Sequence, residues 1–291
     1  MLYDVALEIS YEYDHPANSG RHSVRLLPAT FACEQTLVSG RISLSPNPSE
    51  REDRTDFFGN AVTDVSFRHS HSELVFKLRA RIDRTATSEQ LDISPPLDAF
   101  SKELESIQSL GADAPVHFLA ASPRLPLDPT FAVYAQEHLN PGMSAIAAVE
   151  AIGRALHDDM QFDADATTVD TPALEAFERR HGVCQDYSHI MIACLRSVGI
   201  PAGYVSGFLR TIPPKGKPRL EGADAMHAWV RAWCGIEVGW VEYDPTNALR
   251  VGQDHIVVAR GRDYGDAAPI KGVLRTSGKQ KTSHKVDVVP L

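Results

Sequence analysis

The chain has 291 residues, of which 43% are apolar, 8% aromatic and 23% charged, proportions that exclude a wholly disordered, collagen-like or disulfide-stapled protein. Its formal charge of −9, from 29 basic and 38 acidic residues, argues against nucleic acid as a partner, because phosphate binding needs a basic stripe. At about 150 residues per domain, this length points to two domains, with one large domain as the alternative.

The N-terminal stretch MLYDVALEIS has neither a basic region nor an apolar run of the secretory type. The longest unbroken apolar run, Ile190 to Leu195, is far shorter than the ~20 residues of a membrane helix. Four cysteines (Cys33, Cys184, Cys194, Cys234) without a C-x-x-C pair fit reduced thiols, so the expectation is a cytoplasmic protein without membrane association. The basic runs PPKGKPR and KQKTSHK read as a solvated loop and tail.

In chain order, residues 1–98 read as short strands. DVALEISYEY, RHSVRLLP, TLVSGRISLSP, NAVTDVSF and ELVFKLRARI alternate with period two or are rich in β-branched residues, and FFGN reads as a hairpin turn. Leu74, Phe76 and Leu78 oppose Lys77 and Arg79, so one face of that strand is apolar. The expectation is an antiparallel, sandwich-like β domain.

Residues 99–140 read as a helical connection, with LDAFSKELESIQSL and FAVYAQEHL as helices around a Pro-rich link. Residues 141–291 form the expected core. In SAIAAVEAIGRALHDDM, Ile146, Val149, Ile152, Leu156 and Met160 recur at three and four and make one helical stripe. Thr171 before Pro172 reads as a capped helix start, with PALEAFERRH ending at Gly182. A second helix runs from near Cys184 to Val198, followed by strands at GYVSGFLR, MHAWVRAW and GWVEYDP.

Three residues in this half combine into chemistry. Cys184 opens an apolar helix, where unpaired N–H groups and the helix dipole favour a thiolate. His227 begins an alternating strand, and Asp244 ends the next one at a proline. If CGIEVG is the connecting turn, centred near residues 236 and 237, antiparallel register puts His227 opposite positions near 244–246, and so beside Asp244. A thiol, an imidazole and a carboxylate then make a nucleophile, a base and an orienting group.

Each residue also has a plainer reading. A lone cysteine is usually a small core group, a strand histidine a half-buried polar group, and Asp before Pro a turn former. Zinc at Cys184, His189 and His227 lacks paired-ligand spacing, and His189 reads as structural. Cys194 and Cys234 read as buried, while Trp229, Trp233 and Tyr204 read either as cleft walls or as core.

The motifs HGVCQDYSHIMIACLRSVGIPAGYVSGFL, DAMHAWVRAW and GWVEYDPTN resemble the transglutaminase-like superfamily, in particular its bacterial branch described as cysteine proteases. RLLP near Val24 to Pro28, DFFGN and GRDYGDAAPIKGV extend the resemblance to most of the chain. It implies an α+β protein with an N-terminal antiparallel β domain before a papain-like core, and Cys184, His227 and Asp244 as catalytic residues. No cofactor and no metal are implied; the partner is a peptide or protein substrate. Water resolving the thioester makes a peptidase or amidase, and a lysine-type amine makes a transglutaminase. A non-catalytic interaction protein on the same fold is a further alternative. Phe162 stands where relatives often carry Tyr. Gln185, Asp186, Tyr187 and Asn247 match the family wording but equally suit local hydrogen bonding.

Overall fold

A computed structural model describes residues 1–85, 91–211, 222 and 224–291, so the PPKGKPR run lies outside the described residues. The first six strands are β1 (Leu2–Ala17), β2 (Gly20–Val24), β3 (Gln35–Ser45), β4 (Glu50–Thr55), β5 (Ala61–Phe67) and β6 (His71–Arg84). β1 and β6 pair antiparallel with Val5 opposite Ala80, Leu7 opposite Leu78 and Ile9 opposite Phe76. These residues are buried, as the period-two reading requires, and each large one contributes about 1.5–3 kcal/mol by leaving water.

β4 escapes the sequence reading because its residues, EREDRT, are all exposed. It pairs with β5 across the FFGN turn and forms the edge of its sheet. Charge along a free edge is what keeps such a strand from pairing with another molecule.

The middle of the chain is helical: α1 (Leu97–Ser106), a 3-10 turn at Pro115–Phe118, α2 (Pro129–Glu137) and α3 (Ala145–Asp159). Ser144 caps α3 by accepting from the Ala147 N–H, and Ile146, Val149, Ile152 and Leu156 form its buried stripe. After the two-residue strand β7 (Gln161–Phe162) comes α4 (Ala173–Arg179). Its start differs from the expectation: Pro172 is the capping position and the Thr171 hydroxyl accepts from Thr168 N–H instead. Its end differs too. Arg180, not Gly182, takes the left-handed conformation (φ 59°), its guanidinium lying 4.0 Å from the centre of the Phe177 ring.

The two-residue β8 (His181–Gly182) leads into α5 (Cys184–Ser197), which is buried along most of its length. The remaining elements are β9 (Ala202–Leu209), β10 (Ala225–Trp233), β11 (Trp240–Asp244), β12 (Leu249–Arg250), β13 (His255–Gly261), α6 (Tyr264–Ala267), β14 (Ile270–Leu274) and β15 (Gln280–Pro290). β9 to β13 form an antiparallel sheet in the order β12-β11-β10-β9-β13, and α5 packs against β9 and β10.

The last two strands return to the N-terminal half. β15 pairs with β1 and β14 with β2, giving sheets β15-β1-β6-β3 and β14-β2-β5-β4. Residues 270–290 therefore hydrogen-bond into the β domain, although the expected core ran to residue 291. KQKTSHK, expected to be a tail, lies largely in β15; its side chains are exposed, but its backbone is laddered to β1. The protein is of α+β class, with a β-rich N-terminal region and a core of helices on an antiparallel sheet.

A second junction joins the halves. β13 is the edge strand of the core sheet, so its outer N–H and C=O groups have no neighbouring strand. Two buried carboxamides meet them. Gln35 donates to Val257 O (2.7 Å) and accepts from Val257 N–H (2.9 Å), and Asn60 donates to Arg260 O and accepts from Arg260 N–H, both at 2.7 Å. Each side chain imitates a strand at one position and so satisfies polar backbone that burial would otherwise leave unpaired.

Candidate active site

The β10–β11 hairpin sets the register of the site. Its turn is closed by Cys234 N–H to Gly239 O and Gly239 N–H to Gly235 O, both 2.8 Å, with φ of 108° at Gly235 and 71° at Gly239, values that residues carrying a Cβ rarely adopt. Trp233 then pairs with Trp240 and Val230 with Tyr243. Continued along the strands, this register brings His227 to the end of β11, where Asp244 stands.

The two residues meet directly. His227 Nε2 lies 2.7 Å from Asp244 Oδ2, and both side chains are buried. A carboxylate only accepts, so Nε2 carries the hydrogen and Nδ1 is the ring atom left for the sulfur of Cys184. Cys184 is the first residue of α5 and partly exposed, close enough to the His227 ring for its sulfur to add to the rise in the ring's pKa. The helix position leaves the Cys184 N–H without an intrahelical acceptor, so that donor points out of the helix start.

Asp244 is fully enclosed and saturated. Oδ1 accepts from the backbone N–H groups of Thr246 (3.0 Å) and Asn247 (3.2 Å); Oδ2 accepts from His227, from Asn247 Nδ2 (2.7 Å) and from His255 Nε2 (3.1 Å). Burial pushes the carboxyl pKa up, but these bonds and the His227 charge outweigh it and hold the group well below the usual carboxylate range. For His227, burial alone would favour the neutral ring. The hydrogen bond to Asp244, the nearby Cys184 sulfur and the charges of both overcome this and raise the ring's pKa to about 10.

His255 is the participant the sequence reading missed. HIVVARG is a wholly buried strand and reads as core, and the polar residue opening it was its one signal. The other singled-out residues separate clearly. His189 accepts from the Tyr264 N–H (3.1 Å) through Nε2, so it anchors the start of α6, and burial pushes its pKa down to about 4. Asp186 accepts from Val183 N–H (2.8 Å) and Thr167 Oγ1 (2.6 Å), a helix-start role. Gln185 donates to Val169 O, Tyr187 is buried, and Asn247 braces Asp244.

Cys194 and Cys234 are buried, which pushes both thiols up to about 12. Phe162 is exposed. Trp229 and Trp233 are core; Trp229 donates through Nε1 to half-buried Glu242 (2.9 Å) and Trp233 packs on Phe100. Tyr204 is also buried, close enough to Cys184 for the sulfur's charge to add to the burial that raises its pKa. Among the described residues, His227, Asp244 and His255 could bring three ligand atoms within 4.8 Å of one another. Both imidazole N–H groups are already committed to Asp244 Oδ2, so a cation there would have to displace two protons and break both bonds.

Residues 133–245 match the sequence profile of the Transglutaminase-like superfamily, and residues 3–83 that of the Bacterial transglutaminase-like N-terminal region. An uncharacterized protein of Mycobacterium tuberculosis (strain ATCC 25618 / H37Rv) is 33% identical over 301 residues, covering 99% of this chain and 92% of that protein. The chain belongs to the transglutaminase-like superfamily. A second uncharacterized protein, from Mycobacterium leprae (strain TN), is 31% identical over 288 residues and covers 97% of this chain and 96% of its own length. The crystal structure of a protein described as a "Putative Cysteine Protease" from Cytophaga hutchinsonii shares the fold of this transglutaminase-like chain, with a TM-score of 0.76 at 19% identity, over 99% of this chain and 90% of that one. No helix among the described residues is long and apolar enough to cross a membrane.

Proposed function

We propose that this transglutaminase-like chain is a thiol-dependent acyl-transfer enzyme, a cysteine peptidase or amidase acting on a peptide or protein carboxamide, with Cys184, His227 and Asp244 as its catalytic residues. What supports this reading is the His227 ring bonded through Nε2 to a buried, saturated carboxylate, with the Cys184 sulfur close enough to act on the ring's pKa.

In the proposed reaction the thiol proton already rests on His227 Nδ1, as the ring's raised pKa favours, and the thiolate attacks the carbonyl carbon. The carbonyl electrons move onto oxygen, where the Cys184 N–H at the helix start is a donor. As the tetrahedral species collapses, the C–N bond breaks, His227 returns its proton to the departing amine or ammonia, and a thioester remains. Water, deprotonated by His227, then attacks the thioester; the acid is released and the thiol is restored. Asp244 keeps Nε2 protonated and the ring turned so that Nδ1 meets sulfur and substrate in turn. The nucleophile must stay reduced, so we place the reaction in a reducing compartment, the cytosol.

Incubation of the full chain with a peptide and carboxamide library, with and without a lysine-type amine, tests this by mass. Hydrolysed products that disappear in Cys184→Ala support the reading. Amine-adducted products in place of acids would make the enzyme a transglutaminase, and no product with either acceptor would leave a non-catalytic interaction protein.

A further inference from the structure

His255 shares the oxygen that orients His227. Its Nε2 lies 3.1 Å from Asp244 Oδ2, against 2.7 Å for His227 Nε2, so one carboxylate oxygen is held by two imidazoles whose ring centres are 6.1 Å apart. The ring is buried and set edge-on against Trp229 at 5.1 Å, while its Nδ1 is buried without a partner. A buried polar atom left unpaired is a cost, and a phenylalanine in this slot would avoid it. What the histidine offers in return is the single bond from Nε2 to Asp244.

The strand that carries it is fixed from outside the core. Two residues beyond His255, Val257 exchanges both of its outward backbone hydrogen bonds with Gln35 of the N-terminal region. The start of β13 is therefore pinned by the β domain on one side and by β9 on the other. Resting on the catalytic reading above, we propose that His255 is a positioning residue: it fixes the direction of Asp244 Oδ2, and through it the His227 ring, and the β domain serves the site by seating the strand on which His255 stands.

The mechanism is geometric. Oδ1 is tied to the turn by the Thr246 and Asn247 N–H groups, so the carboxylate pivots about that side. His255 restrains the other oxygen together with Asn247 Nδ2 and His227. With the His255 bond gone, Oδ2 keeps only Asn247 Nδ2 and His227 itself as partners, and the His227 ring is aligned less firmly for its Nδ1 to act.

The test is the rate of iodoacetamide alkylation at Cys184 in the intact chain, which requires no knowledge of the substrate, measured for wild type, His227→Ala, His255→Phe, His255→Asn and His255→Gln with thermal unfolding of each. The amide nitrogen of Gln reaches the Nε2 position, whereas that of Asn stops short. The expected result is a rate lower on the order of tenfold or more in the Phe and Asn variants, as for losses of orienting partners elsewhere, with Gln restoring most of it. If Phe fails to fold, the Asn and Gln pair carries the comparison. Asn and Gln variants that react alike, or both at the wild-type rate, would overturn the proposal for His255. Wild-type Cys184 reacting no faster than in His227→Ala would instead overturn the catalytic reading beneath it.

Discussion

Gln35 and Val257 lie 222 residues apart in the chain and exchange two hydrogen bonds, 2.7 and 2.9 Å long, in a buried setting. The carboxamide supplies what a further strand would have supplied to the edge of the core sheet. Gln35→Ala strips a donor and an acceptor at once, and should cost about 2–4 kcal/mol by leaving a buried N–H and C=O unpaired. Asn60→Ala, which breaks the equivalent pair at Arg260, should cost a similar amount. Urea unfolding of both variants checks this; losses no larger than those of exposed polar residues would show that the clasp is ornamental. By the same logic residues 141–291 expressed alone should not fold, because β14 and β15 lose their partners and β13 loses its edge cover. A soluble, cooperatively unfolding fragment would contradict this.

Asp244→Asn should be harsher than loss of one charge. Both oxygens accept from N–H donors, so an amide nitrogen opposes either the backbone donors of Thr246 and Asn247 or the ring donors of His227 and His255. Turning the amide to spare the backbone presents its nitrogen to His227 and favours the wrong tautomer. Turnover should fall on the order of 10⁴-fold, with KM little changed. A variant within tenfold of wild type would remove Asp244 from the mechanism.

Stability should depend on pH through three groups with opposite signs. Asp244, whose pKa is lowered on folding, stabilises above the unfolded value of about 3.9 and loses that contribution as pH falls toward its folded pKa. His189, lowered to about 4, stabilises fully above about 6.5 and loses its contribution as pH falls to about 4, an effect of about 3 kcal/mol. His227, raised to about 10, stabilises below about 6.5 and loses its contribution as pH rises through about 10. Chemical unfolding across pH should therefore show a maximum near 6.5, with the first acid loss removed in a His189→Gln variant. An unchanged acid limb in that variant would refute the assignment.

Cys184→Ala should fold normally, since the thiol is only partly buried, yet it should alter the neighbouring histidine. The nearby sulfur contributes to the raised His227 pKa, so its removal should lower that value. Titration of the ring by NMR in both proteins is the check. Identical midpoints would mean that the two groups do not interact.

The legible parts of this protein were those that short-range rules control. Two glycines centre the β10–β11 turn, and from that centre the meeting of His227 and Asp244 followed by counting. The α3 stripe followed from period alone. What escaped was decided at long range. β4 is an all-charged strand whose only reason to be extended is β5 beside it. β14 and β15 are recruited by strands more than two hundred residues upstream. His255 stands in a strand with no helical or alternating signature, and it reaches the site only because that strand closes the sheet next to β9.

The most direct measurement is capture of the covalent intermediate. The full chain is mixed with a reactive amide or ester substrate, quenched in acid and digested, and the acylated peptide is identified by mass. Acyl group is expected on the peptide containing Cys184, accumulating in wild type and absent in Cys184→Ala, with His227→Ala forming it far more slowly. Turnover with no acyl group on Cys184, or with the label on Cys33, Cys194 or Cys234, would contradict this.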